Sequence, residues 1–142
     1  MNKVELFADY ARYHGDPRNR LCHAIGIPSI VAGLMGLAAR VHVGATDLAM
    51  ILAIAVLLFY LAIDLRGAVL AAIAFAVLYA IGRALSWQAA LVVFVGGWVF
   101  QLVGHRLEGT APRFLTNAIY LLIGPLYMAE EGYTALVRRL AP

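Results

Sequence analysis

Three of the chain's four histidines sit in polar company within an otherwise apolar sequence. His14 and His23 fall in YARYHGDPRNRLCHAIGIP, residues 10–28, with Asn19 between them. His105 lies far along the chain in QLVGHRLEGTAP, residues 101–112. Imidazole is the commonest protein metal ligand. Imidazoles with a carboxylate and open coordination positions suit non-haem Fe(II) and O2 chemistry, whereas His-only or His/carboxylate sets also suit zinc. Glu108 follows His105 by three residues, so on a helix it shares that face and either ligates directly or orients an imidazole. Glu131 lies beyond Gly124-Pro125, and Asp16 reads better as a cap than as a ligand. Arg18, Arg20, Arg106 and Arg113 surround the same stretches. They suit anionic lipid headgroups, and a guanidinium fork also matches a substrate carboxylate. Cys22, the one cysteine, excludes an intramolecular disulfide and reads as a small packed residue.

Such a site exists only if distant segments converge, and composition says in what medium. Of 142 residues, 63% are hydrophobic and 13% charged, with a net charge of +3. A soluble domain carries roughly 25% charged residues, so most of this chain is suited to lipid. The aromatic–basic interleaving that grips nucleic acid is absent, and no nucleic-acid partner is expected. The first 24 residues hold seven charged side chains and no apolar core, so insertion is expected to rely on internal segments rather than a cleaved signal. The reading is a single all-α integral membrane domain, residues 1–142. It comprises an interfacial His-bearing segment (1–24), a bundle of about four transmembrane helices (25–104) and a re-entrant or interfacial C-terminal segment (105–142).

Residues 3–13 predict a short amphipathic helix, with Val4, Phe7, Ala8 and Ala11 on its apolar side. Gly15-Asp16-Pro17 breaks it, and a second helix starting near Pro17 would put Asn19 and His23 on one face. Gly26 and Pro28 are expected to loosen or kink that helix. Spans are expected over 25–41, 48–63, 68–82 and 87–104, and a fifth apolar stretch, 114–128, is expected to be interrupted at Gly124-Pro125. With four spans, Lys3, Arg12, Arg18, Arg20, Arg66, Arg106, Arg113, Arg138 and Arg139 share one side, and only Arg40 and Arg83 lie opposite. That imbalance makes the first side cytoplasmic. His14, His23 and His105 then meet there, while His42 is a loop residue across the membrane. Polar groups gathered at the edge of an apolar bundle tend to be functional.

These residues also carry a resemblance. Tyr10-x3-His14-x2-Pro17-x-Asn19-x3-His23-x2-Gly26-x-Pro28, then Trp98-x2-Gln101-x2-Gly104-His105-x2-Glu108-x3-Pro112, closely resembles the membrane 2-hydroxy fatty acid dioxygenases of fatty acid α-oxidation. That family is typified by the yeast endoplasmic-reticulum dioxygenase of phytosphingosine degradation. The resemblance implies Fe(II) as cofactor, and a long-chain 2-hydroxy fatty acid and O2 as substrates, with a fatty acid one carbon shorter as product. It implies His14, His23 and His105 as metal residues with Glu131, and Asn19, Gln101 and Glu108 as further catalytic positions. Arg18, Arg20 and Arg106 are candidates for the substrate's head. A bacterial inner membrane suits the chain, with the site on the cytoplasmic face; in a eukaryote the endoplasmic reticulum would take that place. Two other readings stay open on the residues alone: a zinc or iron hydrolase or hydroxylase acting on lipid, and a non-enzymatic membrane scaffold or transporter. The near absence of polar groups in the central runs 50–63 and 68–81 counts against transport.

Overall fold

A computed structural model describes residues 2–141. In chain order it contains α1 (Lys3–Arg12), α2 (Pro17–Ala38), a two-strand hairpin of β1 (His42–Val43) and β2 (Thr46–Asp47), α3 (Leu48–Leu61), α4 (Leu65–Ala84), α5 (Trp87–Glu108), a 3-10 turn (Arg113–Leu115) and α6 (Tyr120–Leu140). The fold is therefore all-helical apart from the hairpin, which pairs His42 with Asp47 and Val43 with Thr46.

Side-chain caps set most helix starts. The Asp16 carboxylate accepts from the Arg18 N–H at 2.8 Å, and Pro17 sits at the start of α2, where its missing N–H is no loss. Asp47, Asp64 and Ser86 cap α3, α4 and α5 in the same way. Helix α2 thus starts at Pro17, as the break at Gly15-Asp16-Pro17 predicts, and it carries the apolar run that begins at Ile25 as far as Ala38. Neither Gly26 nor Pro28 breaks it. The Ser29 hydroxyl donates to the Ile25 carbonyl at 2.7 Å, in the turn that Pro28 disturbs, and α5 packs along the same helix. The expected division at 24/25 falls inside α2, so Asn19 and His23 ride on the same rod that enters the bundle.

The C-terminal stretch is also corrected. Instead of an interrupted segment over 114–128, α6 runs unbroken through Gly124 and Pro125 for 21 residues. The Tyr60 hydroxyl donates to the Leu122 carbonyl at 2.5 Å, which gives the helix a tertiary partner in the turn beside Pro125.

Three helices, α2, α4 and α5, are long and apolar enough to cross a membrane. α3 is equally apolar but has only 14 residues, about 21 Å at 1.5 Å per residue. The α2–α5 pair is the most extensively packed in the bundle. Gly33 permits it: a Cβ there would lie 2.6 Å from the Phe94 backbone nitrogen and 2.7 Å from the Ala90 carbonyl oxygen.

Charged contacts tie one end of the bundle together. Lys3 reaches Asp64 at 2.9 Å and Glu130 at 2.6 Å, and Arg20 pairs with Glu131. These join α1, α2, the α3–α4 turn and α6 at one end, as the clustering of basic residues predicts. His42 lies in the hairpin at the far end of α2 and is exposed; it is a ladder residue rather than a loop residue, and remote from the other histidines.

Candidate metal centre

His14 follows the C-terminus of α1, His23 lies in the second turn of α2, and His105 lies in the last turn of α5. All three are buried. Their rings stand edge to face, with centroids 4.3 Å (His14–His23), 5.1 Å (His14–His105) and 4.8 Å (His23–His105) apart. One ligand atom from each lies within 4.8 Å of the others, a spacing that a single metal ion can bridge.

Each ring is held by its Nδ1. His14 Nδ1 lies 2.7 Å from the Tyr10 carbonyl and His23 Nδ1 lies 3.0 Å from the Asn19 carbonyl. A carbonyl can only accept, so both Nδ1 atoms carry the proton and, in a neutral ring, the lone pair is left on Nε2. The device repeats: in each case the partner is the residue four positions earlier. Tyr10 also stacks on His14 at 4.0 Å, and burial raises the pKa of its phenol well above the ordinary value. Burial likewise pushes the His14 pKa below the ordinary histidine value, against the bond to the Tyr10 carbonyl that raises it. A neutral imidazole is the form that binds metal.

His105 is set by the end of its helix. Gly109 takes φ +76, and the Thr110 N–H returns to the His105 carbonyl at 3.1 Å while the Gly109 N–H returns to Arg106 at 3.3 Å. This glycine-ended reversal brings the Thr110 hydroxyl to 3.2 Å from His105 Nδ1. His14 Nε2 is fully buried with no partner among the described residues. A buried, unpaired lone pair facing two other imidazoles is a costly arrangement that a metal ion would relieve. The donor set fits iron or zinc.

The remaining candidates take distinct places. Glu108 accepts from the Gly15 N–H at 2.7 Å, from Asp16 N–H at 3.3 Å and from the Asn19 amide. Asn19 also donates to the Tyr13 carbonyl at 3.1 Å. Together they clamp the 13–16 turn, and with it His14, onto α2 and α5. Gln101 lies one turn before His105, 5% exposed, and its Nε2 has no partner among the described residues. Glu131 is held by Arg20 beside a small crevice that Tyr10, His14, His23 and Tyr127 also line. Arg18 binds Asp16 at 2.8 Å, and Arg106 is exposed; neither lines the main cavity.

That cavity, of ≈ 190 Å³, opens from the histidines into the bundle. Its polar end carries His14, His23, His105, Gln101 and Arg113, and its walls are apolar side chains from α2, α3, α4 and α6. Leu34 and Leu52, 43% and 42% exposed, line it where it meets the outside of the bundle. Arg113, weighed only alongside other arginines from sequence, is the arginine on this wall; its Nε lies 3.3 Å from Asp9 and its guanidinium stands over Tyr13 and Tyr120. The bond from Tyr120, with Arg113 assisting, holds the Asp9 carboxyl below the usual carboxylate range. Sequence reasoning gave Tyr10 and Thr110 no role. The four-residue step from Tyr10 to His14, the same as from Asn19 to His23, was the available signal for the first; nothing in the sequence marks Thr110.

The comparisons extend over this whole assembly. The chain is 28% identical over 132 residues to the 2-hydroxy-palmitic acid dioxygenase MPO1 of Saccharomyces cerevisiae, covering 86% of this chain and 74% of the yeast protein. No solved structure matches. The match to the family described as "Mpo1-like: 2-hydroxy-palmitic acid dioxygenase Mpo1-like" runs over residues 2–136 and so takes in His14, His23 and His105 together. The chain belongs to the Mpo1-like family.

Proposed function

We propose that this chain is a membrane Fe(II)-dependent dioxygenase that α-oxidises long-chain 2-hydroxy fatty acids to acids one carbon shorter, using O2. The observation that carries this reading is the junction of a buried three-imidazole cluster with an apolar cavity that enters the bundle. The yeast relative's name supports the substrate class. The reaction balances as 2-hydroxy acid plus O2 giving the shortened acid, CO2 and water.

His14, His23 and His105 would hold the iron through their Nε2 atoms. Iron would supply the redox chemistry that O2 needs to react with a closed-shell acid. Three protein ligands leave room in the coordination shell for the oxygens of a 2-hydroxy acid. The Gln101 Nε2, buried without a partner among the described residues, would donate to an oxygen of the substrate's head. Arg113, on the same wall, offers charge to the carboxylate. Glu108 and Asn19 act by holding the turn that carries His14, and Glu131 by keeping Arg20 across the crevice beside it. The acyl tail lies in the cavity, which places the reactive head at the membrane surface on the side of the basic excess, the cytoplasmic face.

The test is metal content of the detergent-purified protein, then O2 uptake and product mass after anaerobic Fe(II) loading with 2-hydroxypalmitate. Wild type should consume O2 and release a product one carbon shorter. His14→Ala, His23→Ala and His105→Ala should each lose iron and activity, and His42→Ala should keep both. Zinc in place of iron, or turnover without O2, would replace the dioxygenase with a lipid hydrolase.

A further inference from the structure

The cavity has a floor as well as a mouth. Along α2 its lining runs from His23 to Ala38, fifteen residues or about 22 Å of helix. One leaflet is about half of the ~30 Å hydrocarbon core, so the cavity reaches deeper than a leaflet. At the far end Ala38 and Ala49 face the space; they are 6% and 1% exposed, and Met35 and Phe75 close around them at 6% and 7%. The contrast with Leu34 and Leu52, half-exposed midway along, means that the cavity is open at its side and shut at its end. Two alanines stand where larger apolar residues would shorten the space, between helices otherwise rich in leucine, isoleucine and valine.

We infer that Ala38 and Ala49 set the longest acyl chain the protein accepts, forming the closed end of a tail slot whose other end is the histidine cluster. The inference rests on the dioxygenase reading for the nature of the head and on the cavity alone for the tail. Each methylene buried in an apolar slot raises affinity about 4-fold, until the chain meets the floor. Replacing either alanine by leucine fills the space of roughly three carbons, so the limit moves to shorter chains. Met35→Ala opens the same end and moves it the other way.

The experiment uses the full-length, metal-free protein in detergent. Trp98 lines the cavity and Trp87 is the chain's other tryptophan, so Trp87→Phe leaves one reporter inside it. A mid-chain brominated fatty acid quenches Trp98, and saturated fatty acids of about ten to twenty carbons compete for the slot. In the parent, affinity should climb with length and then level off. Ala38→Leu and Ala49→Leu should level off about three carbons earlier with the shortest acids bound as before, and Met35→Ala should level off later. The same levelling point in all four proteins overturns the inference; opposite shifts from the filling and opening variants cannot arise from misfolding alone. O2 uptake by the iron-loaded proteins separates the two readings. Shifted limits with no O2 uptake from any 2-hydroxy acid would retain the length gauge and sink the dioxygenase. O2 uptake with an unmoved limit would do the reverse.

Discussion

The Gln101 amide is buried at the polar end of the cavity with no partner for its Nε2 among the described residues. A group of this kind costs folding free energy of about 1–3 kcal/mol that a same-shaped apolar residue would recover. Gln101→Leu should therefore raise the melting temperature in detergent while raising the KM for a 2-hydroxy acid about 5-fold or more, the worth of one hydrogen bond. A fall in stability with unchanged KM would make the residue structural. Asp16 gives a pH prediction. Bonds from the Arg18 side chain, then its backbone N–H, pull its pKa down to about 2. Because the folded value lies below the unfolded ~3.9, the charged cap stabilises α2 above that pH, and the benefit is lost as pH falls through about 2. Asp16→Asn keeps an acceptor without the charge, so its melting temperature should trail wild type at pH 5 and converge with it near pH 2. At this scale the chain was readable where chemistry is written into residue type: His14, His23 and His105 come together as the polar islands foretold. It was unreadable where a neutral residue is recruited by geometry, as Thr110 is by the reversal at Gly109.

Helix existence was legible from the apolar runs, and helix ends less so, because caps and tertiary contacts decide them. Asp16-Pro17 is a strong start signal and foretold where α2 begins, whereas hydropathy, which rises only at Ile25, says nothing of the two polar turns before it. Pro125 misled for a related reason: the partner that supports the helix beside it, Tyr60, is 65 positions away and invisible locally. Glycines of the bundle, alike on paper, separate once packed. Gly33 lies against the backbone of α5, whereas a Cβ on Gly96 would meet nothing within 4 Å. Gly33→Ala should lower stability by about 1–3 kcal/mol through overpacking, and Gly96→Ala should be neutral or gain up to about 1 kcal/mol of helix propensity. Thermal unfolding in detergent, followed by helical circular dichroism, checks the pair; equal effects would mean that α2 and α5 do not meet at Gly33.

Over the whole molecule, the basic excess and the ion pairs give the same polarity. Lys3, Asp64, Glu130, Arg20 and Glu131 join four elements at the end where the histidines lie, and the hairpin with His42 closes the other. The brevity of α3 then has a consequence for the lipid around it. At about 21 Å, beside neighbours of about 30–33 Å, its fourteen residues cannot match a ~30 Å core. This hydrophobic mismatch costs fractions of a kcal/mol per Å, and lipid meets it by thinning locally. The thinning is expected on the flank where Leu52 borders the side opening of the cavity. Thinned lipid there would have less room for its acyl chains, which would favour their departure from the bilayer into the protein. Reconstituted into vesicles of graded acyl length, the protein should turn over faster in thinner bilayers, with KM rather than kcat carrying the change. A profile flat across thickness would show that the short helix leaves the surrounding membrane undisturbed.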